Sequence, residues 1–329
     1  MKKKRVVLAG GSGFLGRALQ ADLESAGYET VVLTRSPRRV GDVRWDGKTV
    51  GEWATHLEGA YAVVNLAGKS VNCRYTPANR REIVLSRVDS VIALDNALRD
   101  LKNPPSVWVQ CSSLAIYGDS GDAIRTEDSP HGPGLTDEDR LAWNQSDRAT
   151  ENFKANFSVD VCEAWEAGLA DPNFLPPGMR GVTLRIGFVL GEKGGALGTL
   201  GWLTKMFLGS AVGSGRQYIS WLHLRDMNRI FRFSIENEEA QGVFNATGPN
   251  PVTNAQFMAS LRRALHRPWS PPVPAPFVKI ATRLMQTEAE LALIGRRCVP
   301  KRLLESGFKF EFSELDAALK EIYASSSSK

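Results

Sequence analysis

Residues 10–16 read Gly10-Gly11-Ser12-Gly13-Phe14-Leu15-Gly16, set between a β-branched run, Arg5 to Ala9, and a segment of helical periodicity, Phe14 to Gly27. Glycines at intervals of three, closing a strand and opening a helix, constrain this chain more than any other feature. Such a turn lets the backbone approach a pyrophosphate, and the helix N-terminus offers free N–H groups and a positive dipole. The pattern predicts a dinucleotide site made by Gly10, Gly11, Ser12, Gly13, Phe14, Leu15 and Gly16. A side chain at Gly13 would stand in the phosphate's path, and a positive φ is expected there. A glycine turn without a ligand is the competing reading, against which the flanking strand and helix weigh.

Strand and helix patterns alternate beyond this turn. Glu29 to Thr34, Ala60 to Leu66, Ser106 to Ser112 and Val182 to Val189 read as strands, with helices over about 77–101 and 159–169. Alternation of this kind predicts an α/β Rossmann fold, a doubly wound parallel sheet with helices on both faces. No fixed-period repeat supports a solenoid or propeller. Glycines then cluster from Gly191 to Gly215 and prolines from Pro268 to Pro276, with further helices expected at about 277–293 and 313–323. The expected division is a cofactor-binding Rossmann domain over 1–190, with 219–247 returning to it. Residues 191–218 and 248–329 form a smaller C-terminal lobe that supplies substrate contacts.

The bulk numbers exclude several classes. A chain of 329 residues, 43% hydrophobic and 23% charged, has enough apolar surface for a large core. The formal charge of +5 comes without a basic stretch interleaved with aromatics, so no nucleic-acid partner is expected. The basic run Lys2 to Arg5 is followed by only Val6 to Ala9 before the glycines, too short for a secretory h-region. No apolar window is long enough for a membrane span. Cys73, Cys111, Cys162 and Cys298 are far apart and share no metal-ligand spacing, so free thiols, no metal and a cytoplasmic address are expected.

The second strand ends in Leu33-Thr34-Arg35-Ser36-Pro37, with Arg38 and Arg39 following. An acid in this place would bond a ribose 2′-hydroxyl and repel a 2′-phosphate, whereas Arg35 would pair with the phosphate. NADP(H) is therefore expected over NAD(H), a solvated basic turn being the alternative. Asn65-Leu66-Ala67-Gly68 ends the next strand with small residues, against which the adenine-ribose half of a cofactor can lie.

Together with Ser86-Arg87 and Leu184-Arg185-Ile186-Gly187, these segments resemble atypical extended short-chain dehydrogenases/reductases. More narrowly, the chain resembles the epimerase-like family that carries its own C-terminal domain. The later motifs are the more specific: Gly194-Gly195-Ala196, Gly213 to Gln217 leading to Ser220-Trp221-Leu222-His223, Phe244 to Pro251, and Pro300 to Phe308. The resemblance implies that Thr34, Arg35 and Ser36 meet the 2′-phosphate and that Leu66, Ala67 and Gly68 line the adenine side. It implies that Glu82 and Arg87 face the cofactor cleft and that Arg185 and Val189 belong to the cofactor side, Val189 beside the nicotinamide. Three features depart from the family. Lys69 stands where an acid is common, Arg225 replaces an acid after His223, and the stretch from 132 to 156 is longer and more polar.

The catalytic apparatus is also unusual. Superfamily members place Tyr-x-x-x-Lys on a helix, the Lys lowering the Tyr pKa, with a Ser on the preceding strand. Here Ser113 stands at the serine position and Tyr117 four residues later, but the helix puts Ser158 and Cys162 where Tyr and Lys belong. Two functions follow. In one, Ser113 and Tyr117 polarise a carbonyl for hydride exchange with nicotinamide, with Trp221, His223 and Asp226 near the substrate and His223 or Asp226 shuttling the proton. In the other, the protein binds NADP(H) without turnover and reports its status to a partner.

Overall fold

The strands that build the cofactor edge are apolar along their length because helices cover both faces of the sheet. In the computed structural model, which describes residues 3–136, 153–171, 173–192, 194–274 and 293–324, seven parallel strands form this sheet. They are β1 (Arg5–Ala9), β2 (Glu29–Thr34), β3 (Asp42–Arg44), β4 (Ala62–Asn65), β5 (Val107–Ser113), β7 (Arg180–Ile186) and β11 (Gly242–Ala246), ordered β11-β7-β5-β4-β1-β2-β3. Every pairing in it is parallel. Because β1 lies between β2 and β4, the strand order reverses beside it, and the crevice that binds ligands in such sheets opens at its carboxyl end, at Gly10.

Three two-stranded pairs complete the strand inventory among the described residues. β6 (Ile124–Arg125) pairs with β13 (Arg297–Cys298), β8 (Phe188–Leu190) with β10 (Trp221–His223), and β9 (Tyr218–Ile219) with β12 (Val252–Thr253). The strand expected over Val182 to Val189 is thus two strands broken at Gly187. A Cβ on Gly187 would lie 2.5 Å from the Ser220 carbonyl oxygen, so only glycine lets the chain step from the main sheet to the β8–β10 pair.

Helix α1 (Phe14–Ser25) packs against α5 (Leu224–Glu236), while α2 (Pro77–Arg99) packs against α3 (Phe153–Ala170) on the other side of the sheet. α2 starts where local chemistry allows: the Thr76 hydroxyl accepts from Asn79 N–H, and Pro77 sits in the first turn. α4 (Gly195–Lys205), α6 (Asn254–Ala264) and α8 (Leu315–Ala324) share a second apolar core around Leu197, Phe257, Leu261 and Leu319. Short α7 (Lys301–Glu305) buries Leu303 in the main core. The helix expected at about 277–293 falls, but for its last residue, outside the described residues. None of the described helices is long and apolar enough to cross a membrane.

Candidate cofactor and substrate site

The glycines of the first turn carry three different constraints. Gly10 has φ +73°, and a Cβ there would lie 2.6 Å from the Ala67 Cα, so the turn is closed against the 65–68 loop. A Cβ on Gly16 would collide with the Gly11 backbone, which lets α1 pack directly onto the turn. Gly13 has φ −80° and nothing within 4 Å of where a Cβ would stand. The expected positive φ therefore belongs to Gly10, not Gly13. Gly13 caps α1 with no side-chain hydrogen bond, so the first helical N–H groups face open space of the kind a phosphate needs. Phe14 points the other way. A Cβ on Gly191 or Gly194 would lie 2.7 or 2.8 Å from its ring, so Phe14 clasps the segment that follows β8. Leu15 packs on the main core.

At the carboxyl end of β2, buried Thr34 donates to Ser12 Oγ at 3.0 Å and accepts from Ser36 N–H at 3.3 Å. Beside it is a recess of about 330 Å³ lined by Ser12, Arg17, Ser36, Arg38 and Arg39. One acid lies beneath this basic wall, and it is committed. Asp42 takes both Arg17 terminal nitrogens, at 2.9 and 2.8 Å, and the N–H groups of Arg38 and Arg39 at 3.0 and 3.1 Å. The Arg17 hydrogen bonds, helped by those backbone donors, pull the Asp42 carboxyl down to about 2. Arg35 is exposed and close enough to Glu82 to help hold that carboxyl below its usual range, behind the stronger hydrogen bond from Lys69. The sequence pointed to Arg35, Arg38 and Arg39 but carried no sign of Arg17 or Asp42, which meet across 25 positions.

The 65–69 loop is shaped from below. Asn65 is buried, donating to Ser90 Oγ and Gln110 Oε1 at 3.1 Å and accepting from Ala67 N–H at 3.1 Å. Leu66 packs partly against the main core. Gly68 lies on the Arg87 guanidinium, which donates to the Ile83 and Lys69 carbonyls at 2.8 and 3.1 Å and stacks 4.7 Å from the Trp165 ring centre. Glu82 and Arg87 are therefore not one pair facing the cleft. Arg87 is buried under the loop, and Glu82 sits at the rim, bonded to Lys69 Nζ at 2.5 Å. Lys69, the departure from the family, has its charge met by this carboxylate.

Below the carboxyl end of β5 runs a buried polar network. Ser112 donates to Glu166 Oε1 at 2.5 Å, and Arg185 binds Glu166 through Nε at 3.0 Å and Nη2 at 2.8 Å. Arg185 also donates to the Tyr117 hydroxyl at 2.9 Å, and Tyr117 donates to Asn245 Oδ1 at 2.9 Å. Tyr117 has no exposed surface, and burial pushes its phenol up to about 12. These contacts correct two expectations: Tyr117 is a core hydrogen-bonding residue rather than a substrate donor, and the Arg185 side chain serves Glu166 rather than a cofactor. Burial likewise pushes the Cys162 thiol up to about 12, so it cannot act as a base at neutral pH. Ser113 differs. It is half-buried at the end of β5, and its Oγ accepts from Ala115 N–H at 3.2 Å, leaving the O–H free to donate. Val189, half-buried on β8, lies opposite Leu222 of β10.

The three residues expected near the substrate, on β10 and at the start of α5, are buried. Trp221 donates to the Asn250 carbonyl at 2.9 Å within the second core. His223 accepts from Arg225 N–H at 3.1 Å, meets Glu321 Oε2 at 3.0 Å and stacks on Phe312 at 4.1 Å. Asp226, fully buried, accepts from the N–H groups of Glu311 and Phe312 at 2.8 and 2.9 Å and from Arg229 at 2.8 Å. The C-terminal segment covers His223 and Asp226 through Glu311, Phe312 and Glu321. Arg225, the second departure, pairs with Glu311 and Glu321 of the same segment, both at 3.1 Å.

Comparison with known proteins agrees with this architecture. Residues 6–140 match the NAD dependent epimerase/dehydratase family, and residues 273–322 match a domain of unknown function, DUF1731. The chain is 33% identical over 324 residues to the epimerase family protein SDR39U1 of Bos taurus, covering 97% of this chain and 100% of that protein. It is 32% identical over 326 residues to the epimerase family protein YfhF of Bacillus subtilis, covering 97% and 98%. A crystal structure of human SDR39U1 (isoform 2) with NADPH superposes with a TM-score of 0.82 at 31% identity, covering 97% of this chain and 99% of that one.

Proposed function

We propose that this chain, which belongs to the epimerase family that includes SDR39U1 and YfhF, binds NADP(H) and uses it in oxidoreduction of a carbonyl substrate. The observation that carries this reading is the arginine-lined recess at the end of β2. Arg17, Arg38 and Arg39 surround it, and Asp42 is neutralised by Arg17 and two backbone N–H groups, so no carboxylate is left to repel a 2′-phosphate. The open space at Gly13 fits a pyrophosphate equally well. The NADPH in the human SDR39U1 structure supports the same cofactor here. When bound, the nicotinamide supplies or accepts a hydride. Gly10 to Gly13 and the first N–H groups of α1 would hold the pyrophosphate, and Thr34 to Ser36 with the basic recess would hold the 2′-phosphate. Ser113 donates a hydrogen bond to the carbonyl oxygen. Calorimetric titration tests the cofactor: NADPH should bind more tightly than NADH by roughly 1.5–3 kcal/mol, the scale of hydrogen bonds to a charged group. Arg35→Ala, Arg38→Ala and Arg39→Ala should each narrow the gap, and identical curves for the two cofactors would sink the assignment.

One observation favours a second reading, NADP(H) binding without turnover. Tyr117, His223 and Asp226, the proton-transfer candidates the sequence offered, and Cys162 at the usual lysine position are all buried, three of them held by structural hydrogen bonds. NADPH oxidation measured across a panel of carbonyl compounds and sugar nucleotides separates the two. Turnover with any of them, abolished in Ser113→Ala, excludes the second reading.

A further inference from the structure

Helices α4 and α6 end in the same way, side by side. In each, the residue after the cap has a left-handed backbone, Phe207 at φ +63° and His266 at φ +52°, the two non-glycine residues with positive φ among the described residues. Phe207 N–H donates to the Thr204 carbonyl at 3.0 Å and Leu208 N–H to the Leu203 carbonyl at 2.8 Å. His266 and Arg267 repeat the pattern on the Arg263 and Arg262 carbonyls, at 3.1 and 2.9 Å. Glycine ordinarily fills the left-handed position of such a helix end, yet here side chains stand on it. The two turns are also tied to each other. Arg267 donates through Nε to the Lys205 carbonyl at 3.2 Å and lies 4.9 Å from the Phe207 ring centre. Arg262 donates to the Gly209 carbonyl at 2.6 Å, and Ser210 Oγ donates to Ser270 Oγ at 2.9 Å.

The surface so built is apolar at its centre and cationic around it. Trp202, Met206, Phe207, Leu208 and Trp269 are between 57% and 73% exposed, and they include every exposed aromatic among the large hydrophobics of the described residues. Single exposed apolar residues are ordinary, whereas a cluster of large ones marks an interaction site. No Asp or Glu occurs between Glu192 and Asp226 or between Glu239 and Glu288, the stretches that carry both turns. Asp316 of α8 reaches Arg263 at 2.8 Å, while Lys205 and Arg267 find a carbonyl and aromatic rings. Two copies meeting through this surface would bring like charges together, so an anionic occupant fits better. Projection from two turns suits entry among lipid headgroups more than capture of a peptide, which takes a groove. Aromatic tips set among basic side chains are the pattern of proteins that rest in a bilayer interface.

We propose that the turns after α4 and α6 dock this protein on the surface of an anionic bilayer. The apolar side chains enter the headgroup layer, and Lys205 and Arg267 meet the lipid phosphates and carboxylates. This goes beyond the cofactor reading and does not depend on it. α4 begins beside Phe14 at the glycine turn and carries the docking surface at its other end, about 16 Å away at 1.5 Å per residue. The experiment is flotation of the full chain with vesicles of phosphatidylcholine containing about one third phosphatidylserine, and with phosphatidylcholine alone. The chain should float with the first and not the second, and should release as salt screens the charges. Phe207→Gly/Trp269→Ser should lower the partition coefficient about tenfold or more, and Lys205→Glu by about the same factor. Glycine suits the left-handed backbone at position 207, so the double variant should keep the wild-type melting temperature and NADPH affinity. No flotation with anionic vesicles, equal flotation with neutral ones, or unchanged flotation in the double variant overturns the proposal. Sedimentation velocity decides between the other occupants. A wild-type dimer that the double variant reduces to monomer, without lipid binding, assigns the surface to a second copy. A monomer that fails to float leaves an acidic protein as the occupant, and the lipid assignment falls.

Discussion

Arg17 on the first helix holds Asp42 at the start of β3 through two parallel hydrogen bonds of 2.9 and 2.8 Å. The pair fixes the basic turn between them, because the same carboxylate receives the N–H groups of Arg38 and Arg39. Asp42→Asn should lose this forked contact and leave Arg17 without a counter-charge, destabilising the protein by about 2–3 kcal/mol in urea unfolding at pH 7. The sign with pH follows from a carboxyl held down to about 2 in the fold. Its stabilisation is complete above the unfolded value near 4 and is lost as pH falls toward 2. The gap between wild type and Asp42→Asn should therefore shrink across that window. A gap that stays constant from pH 7 to pH 3 would show that the pair does not stabilise the fold.

The glycine turn separates cofactor binding from folding. Gly13→Val should abolish NADPH binding with a stability change of about 1 kcal/mol or less, since open space and a negative φ accept the side chain. Gly10→Val should instead destabilise by about 2 kcal/mol or more, because φ is +73° and the Ala67 backbone occupies the Cβ position. Thermal melts and NADPH titrations on both variants check the contrast. Retained affinity in Gly13→Val with native circular dichroism would reduce the glycines to a structural turn.

Ser113 and Tyr117 should behave as residues of different kinds. Ser113→Ala should slow any observed carbonyl reduction about 10²–10⁴-fold with little loss of stability. Tyr117→Phe should cost about 1–3 kcal/mol of stability, because Arg185 and Asn245 each lose a buried partner. Its rate per folded molecule should be unchanged. A rate loss in Tyr117→Phe matching that of Ser113→Ala, at full stability, would return the phenol to the reaction.

The packing of His223 against Phe312 and Glu321 should loosen in acid. Burial holds the His223 imidazole below its ordinary value of 6.5, against the pull of Glu321. Below 6.5 the unfolded chain binds the proton more readily than the folded one, so stability falls as pH drops through that region. Urea midpoints measured from pH 7.5 to 5 should decline less steeply in His223→Gln than in wild type. Parallel curves would mean that His223 titrates alike in both states.

How much of this was legible in advance depended on the distance over which each feature is decided. The glycine turn, the alternation of strands and helices and the basic turn after β2 are local. Periodicity, strand-to-helix adjacency and the conformational freedom of glycine act within a few residues, so the amino-acid order alone specified the Rossmann sheet and the cofactor edge. Side-chain roles at the carboxyl edge are not local. Tyr117 meets Asn245 across 128 positions, Ser112 meets Glu166 across 54 and His223 meets Glu321 across 98. A tyrosine four residues after a strand-end serine looks the same in sequence whether its hydroxyl faces a substrate or a buried arginine. Only the pairing of β7 with β5 and of β11 with β7 decided that Tyr117 and Arg185 would bond each other, Asn245 and Glu166 rather than a ligand. A buried charge or hydroxyl must find a partner wherever the fold brings one, and which partner arrives is a property of the tertiary structure.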